Sequence, residues 1–163
     1  MMIEGYENLE SLVAKAEANL KMYRKKNLKQ LKKMDCEIHE LHHTYTDKID
    51  CLQCANCCKT LGPLITDADI KRMAKALRLS PSEVVASYLR IDEDGDYVFK
   101  EMPCPFLMAD NYCIIYENRP KACREYPHTD RKKFYQVFNL SIKNAYTCPI
   151  AYEVLNGVLR IKK

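Results

Sequence analysis

Nine cysteines, four of them within a stretch of eight residues, constrain this chain more than any other feature. The run reads Cys51-x-x-Cys54-x-x-Cys57-Cys58, and four more cysteines follow it at wider spacing: Cys104, Cys113, Cys123 and Cys148. A two-residue gap lets successive sulfurs converge on one centre, because the intervening backbone can fold back toward them. The spacing therefore predicts that these eight cysteines bind metal as thiolates.

The amino terminus lacks the pattern of an export signal. It contains Glu4 and Glu7 where a signal peptide needs positive charge. No stretch approaches the roughly 20 apolar residues that a membrane span needs. We therefore expect a cytoplasmic chain without a membrane segment. Disulfides are disfavoured in a reducing compartment, so metal binding accounts for the cysteines better than a disulfide framework does.

Two kinds of metal centre fit the spacing. Three closely spaced cysteines with a distant Cys-Pro pair are typical of cubane iron-sulfur proteins, and both Cys104-Pro105 and Cys148-Pro149 offer that fourth ligand. Zinc would equally accept four of these sulfurs in a tetrahedron. The sequence leaves zinc and a 4Fe-4S cluster both open, in one or two sites.

The eight cysteines divide naturally into two sets of four. We expect the adjacent Cys57 and Cys58 to project in different directions, which favours two neighbouring sites. One interpretation places Cys51, Cys54 and Cys57 in one site with a remote partner, and Cys58 in a second site with the remaining cysteines. The ninth cysteine, Cys36, lies apart in a helical pattern, and we interpret it as a small buried apolar residue.

Cations and turn formers surround one of the distant cysteines, in the segment Arg119-Pro-Lys-Ala-Cys123-Arg124-Glu-Tyr-Pro. Arg119 and Arg124 could offset the negative charge of a four-thiolate site from outside the ligand shell. The alternative is surface ion pairing with Glu117 and Glu125, since exposed pairs of this kind are common.

The histidines are a weaker source of ligands than the cysteines. Eight thiols already fill two four-coordinate sites, so we expect no histidine ligand. The four histidines are His39, His42, His43 and His128.

Helical periodicity dominates the rest of the chain and predicts a mainly α single domain of short helices and loops gathered around the cysteines. Apolar residues recur at helical spacing from Leu9 to about Tyr45, as one long helix or two stacked ones. Capping signals predict helices that begin after Thr66 and that run from Pro81 to about Arg90. Pro149 suits the first position of a last helix, which would place Cys148 at a helix N-terminus that favours its thiolate.

One short segment has a different pattern. Between residues 91 and 102 an Asp94-Gly95 turn is followed by β-forming residues, which predicts a small hairpin. Alternating acids there resemble the start of a calcium-binding loop. The glycine and glutamate that such a loop requires are replaced by Tyr97 and Pro103, which argues against calcium.

The chain is expected to divide into an N-terminal helical extension over residues 1–48, packed on a cysteine-cluster domain over residues 49–163. The extension is basic, and we interpret its cations as a solvated helix face, with a protein partner on this helix as the alternative. The net charge of +4 counts every cysteine as neutral, so it does not predict binding to nucleic acid. The cations of this helix are Lys15, Lys21, Arg24, Lys25, Lys26, Lys29, Lys32 and Lys33.

Several motifs together resemble the YkgJ-type CxxCxxCC cysteine-cluster family. They are the CxxCxxCC run itself, Cys104-Pro-Phe, Cys113-Ile-Ile-Tyr and Arg119-Pro-x-x-Cys-Arg-x-Tyr-Pro. The resemblance spans Cys51 to Cys148 and implies a zinc- or iron-chelating domain with the eight cysteines as ligands. A similar module occurs in flagellin lysine methylases, but this chain shows no separate methyl-donor site.

The predicted function is metal binding in which the centre organises the fold, with no reaction assigned. Phosphate-binding glycine loops, Ser-His-Asp sets and the HExxH motif are absent from the sequence, so an enzyme is not predicted. Two alternatives stay open at this point: an enzyme or electron-transfer component that uses an iron-sulfur cluster, such as a protein-modifying methylase accessory, and a metal-delivery protein.

Overall fold

The computed structural model describes residues 5–161 and is mainly α-helical with one small hairpin, which confirms the predicted fold class. Contacts divide it into two compact units: the chain up to Cys54 together with the part from Pro127 onward, and residues 55–126. The predicted division at residue 48 stays a prediction. The helices of the described residues are α1 (Leu9–Leu31), α2 (Asp35–Thr46), α3 (Cys51–Cys54), α4 (Asn56–Thr60), α5 (Asp67–Leu77), α6 (Pro81–Tyr88), α7 (Lys121–Glu125), α8 (Phe138–Ala145) and α9 (Pro149–Arg160); the strands are β1 (Leu89–Ile91) and β2 (Tyr97–Phe99).

The long N-terminal helical pattern forms two helices, α1 and α2, as one of the two predicted arrangements. A short break at residues 32–34 separates them. Within α1 the backbone is kinked at Asn27, whose φ of −117° and ψ of 24° are not helical. The Asn27 side-chain amide donates to the carbonyl of Tyr23 at 3.0 Å, a local bond of the kind that competes with the helix backbone.

The first unit is a layer of helices in which α9 packs against α2 and α8. Helices α2 and α9 approach closely at Gly157, where an added Cβ would lie 2.8 Å from both Leu41 methyl carbons. Pro149 occupies the first turn of α9, as predicted. The largest fully buried side chains of this unit are Phe134, Phe138, Leu20, Leu31, Ile38, Ile142, Leu155, Val13 and Val154.

Two capping boxes start the helices of the second unit. In α5 the Thr66 hydroxyl accepts from the Asp69 backbone, and the Asp69 carboxylate accepts from the Thr66 backbone. Ser80 and Glu83 form the same reciprocal pair at the start of α6. Both helix starts were predicted from the spacing of a hydroxyl and an acid three residues later. The two helices pack against each other over a core that includes Met73.

The predicted hairpin forms from β1 and β2, which pair antiparallel with Leu89 opposite Phe99. Helix α6 ends at Tyr88, two residues before the predicted end, because residues 89–91 pair with β2 instead. The turn has Gly95 at φ +86°. Asp92 Oδ1 accepts from the backbone of Asp94 and Asp96 at 3.0 and 2.9 Å, so this carboxylate shapes the turn.

No helix in residues 5–161 combines the length and apolar character that crossing a bilayer requires.

We predict that Phe138→Ala lowers the free energy of unfolding by about 3–5 kcal/mol, because the ring is fully buried and its loss leaves a cavity. Phe138 packs edge to face on Phe134, with ring centroids 5.6 Å apart. The measurement is the urea midpoint followed by circular dichroism. The control is Leu140→Ala on the same helix, which removes a side chain that is 42% exposed and should change stability by no more than about 0.5 kcal/mol. Equal losses in the two variants would contradict the packing of α8.

Candidate metal centre

The nine cysteines all lie in the described residues, and none of them is in a disulfide. Five belong to the second unit and four to the first. The second unit therefore contains enough thiols for a complete four-sulfur site of its own. Its cysteines are Cys57, Cys58, Cys104, Cys113 and Cys123, whereas Cys36, Cys51, Cys54 and Cys148 belong to the first unit.

Helix α4 carries the adjacent pair Cys57 and Cys58, and their sulfurs lie 4.0 Å apart. Two thiolates bound to one zinc at about 2.3 Å would stand about 3.8 Å apart in a tetrahedron. The expectation that these neighbours diverge is therefore wrong, because in this one-turn helix both side chains lean toward each other. Ala55, in the left-handed region at φ 49°, is the N-cap residue of α4.

Backbone hydrogen bonds bring Cys104 and Cys113 toward α4. The Cys104 N–H donates to the carbonyl of Cys58 at 2.8 Å, which fastens the start of the loop after β2 to the cysteine run. That loop then doubles back, with an antiparallel bridge between Leu107 and Cys113 and a bond from the Ile114 N–H to the Phe106 carbonyl at 3.0 Å. Cys104 and Cys113 follow Cys58 in the sequence by 46 and 55 residues. These backbone bonds thus place them in one region of the second unit with Cys58.

The fourth thiol, Cys123, lies on the short helix α7. The charges of Cys104, Cys58 and Cys113 add to burial in raising the pKa of Cys123, so these three thiols lie within electrostatic range of it. Cys104 and Cys113 both respond to Cys58 in the same way. Four separate segments of the second unit therefore contribute one thiol each to a single group, hereafter the second-unit thiol group: Cys58, Cys104, Cys113 and Cys123.

Burial controls the protonation of three members of this group. It raises the pKa of Cys104 to about 11, that of Cys123 to about 12, and that of Cys113 above its ordinary value. Cys58 behaves differently: a hydrogen bond with Cys57 lowers its pKa to about 7 against the effect of burial, with help from the charges of Arg119 and Lys59. One thiol is thus poised to ionise, while its three neighbours hold their protons.

Arg119 supplies positive charge to this group. Its charge lowers the pKa of Cys58, Cys113 and Cys123. The guanidinium lies over the Tyr116 ring at 3.5 Å from the centroid, and its Nε donates to the Tyr116 carbonyl at 2.7 Å. The other predicted cation, Arg124, is exposed on α7.

The first unit holds a smaller set, Cys51 and Cys54 on α3 and Cys148 at the N-cap of α9. The charges of Cys51 and Cys54 both act on Cys148. The predicted position of Cys148 is confirmed, and the N–H groups of the helix start do lower the pKa of this thiol, but burial has the larger effect. Burial raises the pKa of Cys148 to about 12 and outweighs the lowering effect of hydrogen bonds from the Ala151 and Ile150 N–H groups. Cys54 and Cys148 are buried, whereas Cys51 is exposed.

In chemical type the donors fit a soft metal, since thiolate sulfur is the ligand of zinc and of iron-sulfur clusters. Their positions do not form a complete coordination shell. Within residues 5–161, no group of three or more His, Cys, Asp or Glu side chains is arranged so that it could hold a metal ion. Binding by the second-unit thiol group would require its thiols to lose their protons.

Cys36 and the histidines lie outside these groups. Cys36 is exposed on α2, so its interpretation as a buried packing residue is wrong. His42 Nδ1 lies 2.7 Å from the Thr129 hydroxyl, and burial lowers the pKa of this imidazole.

Sequence reasoning missed two residues next to the second-unit thiol group. Asp69 was recognised only as half of a capping box, and Arg72 was not singled out. Asp69 also accepts from the Lys121 N–H, two residues before Cys123, at 2.9 Å. The sequence offered no signal for this contact, because the burial of Asp69, which is 1% exposed, is set by packing. Once the burial is known, further partners are expected, since a buried charge needs them.

Comparison with known proteins bears on the same residues. No curated protein and no solved structure matches this chain. One family model does match, over residues 50–148, and its description is CxxCxxCC, putative zinc- or iron-chelating domain. This span is more than half of the chain and includes every cysteine except Cys36. The chain therefore belongs to the CxxCxxCC family.

Proposed function

We propose that this protein binds zinc or an iron-sulfur cluster through its cysteine thiolates, with the second-unit thiol group as the ligands of one centre. The observation that carries the proposal is the backbone pairing that brings the Cys104 and Cys113 segments to Cys58. In addition, the charge of Cys58 acts on Cys104, Cys113 and Cys123. A chance cluster of small apolar residues would not need the cation Arg119 beside it. Four thiolates around a dication or around a cubane with a +2 core leave net negative charge, and Arg119 offsets part of it.

Metal binding would also offset the free-energy cost of ionising these buried thiols. Burial keeps Cys104 and Cys123 protonated at neutral pH, and a thiolate left alone there would be an uncompensated buried charge. A bound cation takes the place of the lost protons. In structural zinc sites this exchange contributes about 10–16 kcal/mol, which is comparable with the roughly 5–15 kcal/mol net stability of a domain. We infer that the centre organises the loops of the second unit.

Cys51, Cys54 and Cys148 are proposed as ligands of a second site in the first unit. The sequence spacing assigns Cys57 to Cys51 and Cys54, and this assignment stays a prediction. The 4.0 Å between the Cys57 and Cys58 sulfurs favours instead a place for Cys57 beside the second-unit thiol group.

Metal delivery is a second candidate function, favoured by one observation. Cys51 is exposed, whereas Cys54 and Cys148 are buried. An exposed ligand lets an incoming thiol or chelator displace it first, so a metal held by this set would exchange faster than one held by the second-unit thiol group. Exchange with a chelator within minutes at one site only, followed by elemental analysis, would support delivery.

We predict that protein purified without oxygen contains zinc, or iron with inorganic sulfide, bound through the second-unit thiol group. A band near 400 nm that bleaches in air, together with iron in the elemental analysis, would identify a cubane cluster; a colourless protein with zinc would exclude redox chemistry at this centre. Cys104→Ser or Cys123→Ser should each lower the metal content of the centre. Cys36→Ser, which changes an exposed thiol outside both sets, should leave it unchanged. Equal metal content in all four proteins would contradict the proposal.

We predict that metal affinity rises with pH and continues to rise above pH 9. Thiols with ordinary pKa values would be mostly ionised there, and their affinity curve would flatten. The raised pKa values of about 11 for Cys104 and about 12 for Cys123 mean that these two groups still release protons on binding. Competition with a chelator of known proton dependence, from pH 6 to 10, measures the slope. A plateau beginning below pH 9 would show that burial does not control these thiols.

We predict that complete removal of metal lowers the melting temperature and reduces helical signal. The second unit contains long loops, and its thiol-bearing segments are joined by few backbone bonds such as that from Cys104 to Cys58. Circular dichroism before and after chelation, with metal then added back, is the measurement. An unchanged spectrum and melting curve would show that the centre does not organise the fold.

A further inference from the structure

Asp69 is a buried carboxylate with four hydrogen-bond donors around it. Its Oδ2 accepts from the backbone N–H and the hydroxyl of Thr66, at 3.0 and 2.6 Å. Its Oδ1 accepts from the Lys121 N–H at 2.9 Å and from Nη2 of Arg72, with which it also forms an ion pair. The side chain is 1% exposed. Burial alone would raise its pKa, but these hydrogen bonds hold the pKa of the Asp69 carboxyl below its ordinary value.

Capping alone does not require this environment. Helix α6 begins with the same reciprocal pair, Ser80 and Glu83, and there the acid is exposed. The two capping boxes differ in their further hydrogen bonds. The Asp69 carboxylate of α5 also accepts from the N–H of Lys121, 52 residues further along the chain.

Arg72 holds the same distant segment at a second point. Its Nη2 donates to the backbone carbonyl of Arg119 at 2.9 Å as well as to Asp69. Asp69 and Arg72 therefore fix two backbone positions, the Arg119 carbonyl and the Lys121 N–H, on either side of Pro120. This segment is the entry to α7.

The segment that enters α7 contains Arg119 and leads directly to Cys123, so its position affects the second-unit thiol group. Arg119 provides the charge that acts on Cys58, Cys113 and Cys123, and Cys123 follows two residues after Lys121. Helix α7 has only five residues and no capping side chain at its own N-cap, Pro120. Asp69 supplies the missing acceptor from outside by taking the Lys121 N–H.

We propose that Asp69 and Arg72 are positioning residues of the metal centre, which hold Cys123 and Arg119 in place for binding without contacting the metal themselves. The inference rests on the proposed function of the second-unit thiol group. Residues outside the ligand shell that orient ligands typically change metal affinity by about 10- to 100-fold when they are mutated. Loss of this pair releases one ligand, Cys123, while Cys58, Cys104 and Cys113 keep their own backbone supports.

The test is alkylation of the zinc-loaded protein, with each cysteine followed by mass spectrometry. In the wild-type chain we expect Cys58, Cys104, Cys113 and Cys123 to be protected. In Asp69→Asn, which keeps the shape of the side chain and removes its charge, we expect protection to be lost at Cys123 first, with zinc affinity lower by about 10- to 100-fold. The Co²⁺-loaded variant should show weaker thiolate-to-metal absorption, because one of four sulfurs leaves the ion.

The matched control is Glu83→Gln, which makes the same change in the capping box of α6. It changes an exposed carboxylate that caps its helix, and it should leave the alkylation pattern and the cobalt spectrum unchanged. This comparison separates a positioning role from ordinary helix capping.

A second variant tests the Asp69 contact if Asp69→Asn does not fold. Lys121→Pro removes the N–H that donates to Asp69, together with the lysine side chain, at the first helical position, where proline is tolerated. The preceding Pro120, at φ −51° and ψ 149°, already has a conformation that allows a following proline. Lys121→Ala controls for loss of the exposed lysine. Selective reactivity of Cys123 in Lys121→Pro, and not in Lys121→Ala, is expected.

The alkylation patterns distinguish failure of the proposed function from failure of the positioning role. Wild-type protein whose four thiols are all unprotected after zinc loading removes the proposed function, and this inference with it. Four protected thiols in the wild type, together with Asp69→Asn and Lys121→Pro variants that match their controls, would overturn the positioning role alone. Uniform loss of protection at all four cysteines in a folded variant would also overturn it, because the pair would then support the whole unit rather than Cys123.

Discussion

Burial of ionisable sulfur is the constraint on which the second unit depends. A thiol in a buried position either keeps its proton, which makes it a small apolar group, or loses it and needs a positive partner close by. Cys104 and Cys123 keep their protons, because burial raises the pKa of both thiols. In the proposed centre a cation would replace the protons of these thiols, which would couple metal binding to pH and to folding.

Backbone hydrogen bonds bring the thiol-bearing segments of the second unit together. The bond from the Cys104 N–H to the Cys58 carbonyl joins two of the thiol-bearing segments, and the bridge from Leu107 to Cys113 returns the third segment to the same region. Cys123 is the exception, since its helix has only five residues and begins without a capping side chain of its own. The carboxylate of Asp69, on a longer and better capped helix, compensates for this weakness. The segment that carries Cys123 is thus held in part by a contact from another helix of the second unit.

Local rules predicted most of the fold, and distant contacts account for what they missed. The starts of α5, α6 and α9 follow from Thr66, Ser80 and Pro149, because capping depends on residues within one turn. The hairpin follows from the Asp94-Gly95 turn in the same way. The position of Cys148 at a helix start was predictable, but its pKa was not, because burial is set by packing that the spacing does not reveal. The role of Asp69 beyond capping depends on Lys121, 52 residues away, and no local pattern connects the two.

The charge of the centre links these observations. A zinc ion with four thiolates and a cubane with a +2 core and four thiolates carry the same net charge, so both require the same kind of cation nearby. Arg119 meets that requirement because its position is fixed twice: the guanidinium stacks on Tyr116 and bonds to its carbonyl, and its own carbonyl accepts from Arg72. A lysine in its place would lack the planar group that stacks and donates at the same time. The arginine therefore provides a fixed charge rather than a mobile one, which would stabilise the thiolates of the proposed centre where burial alone would keep the sulfurs protonated.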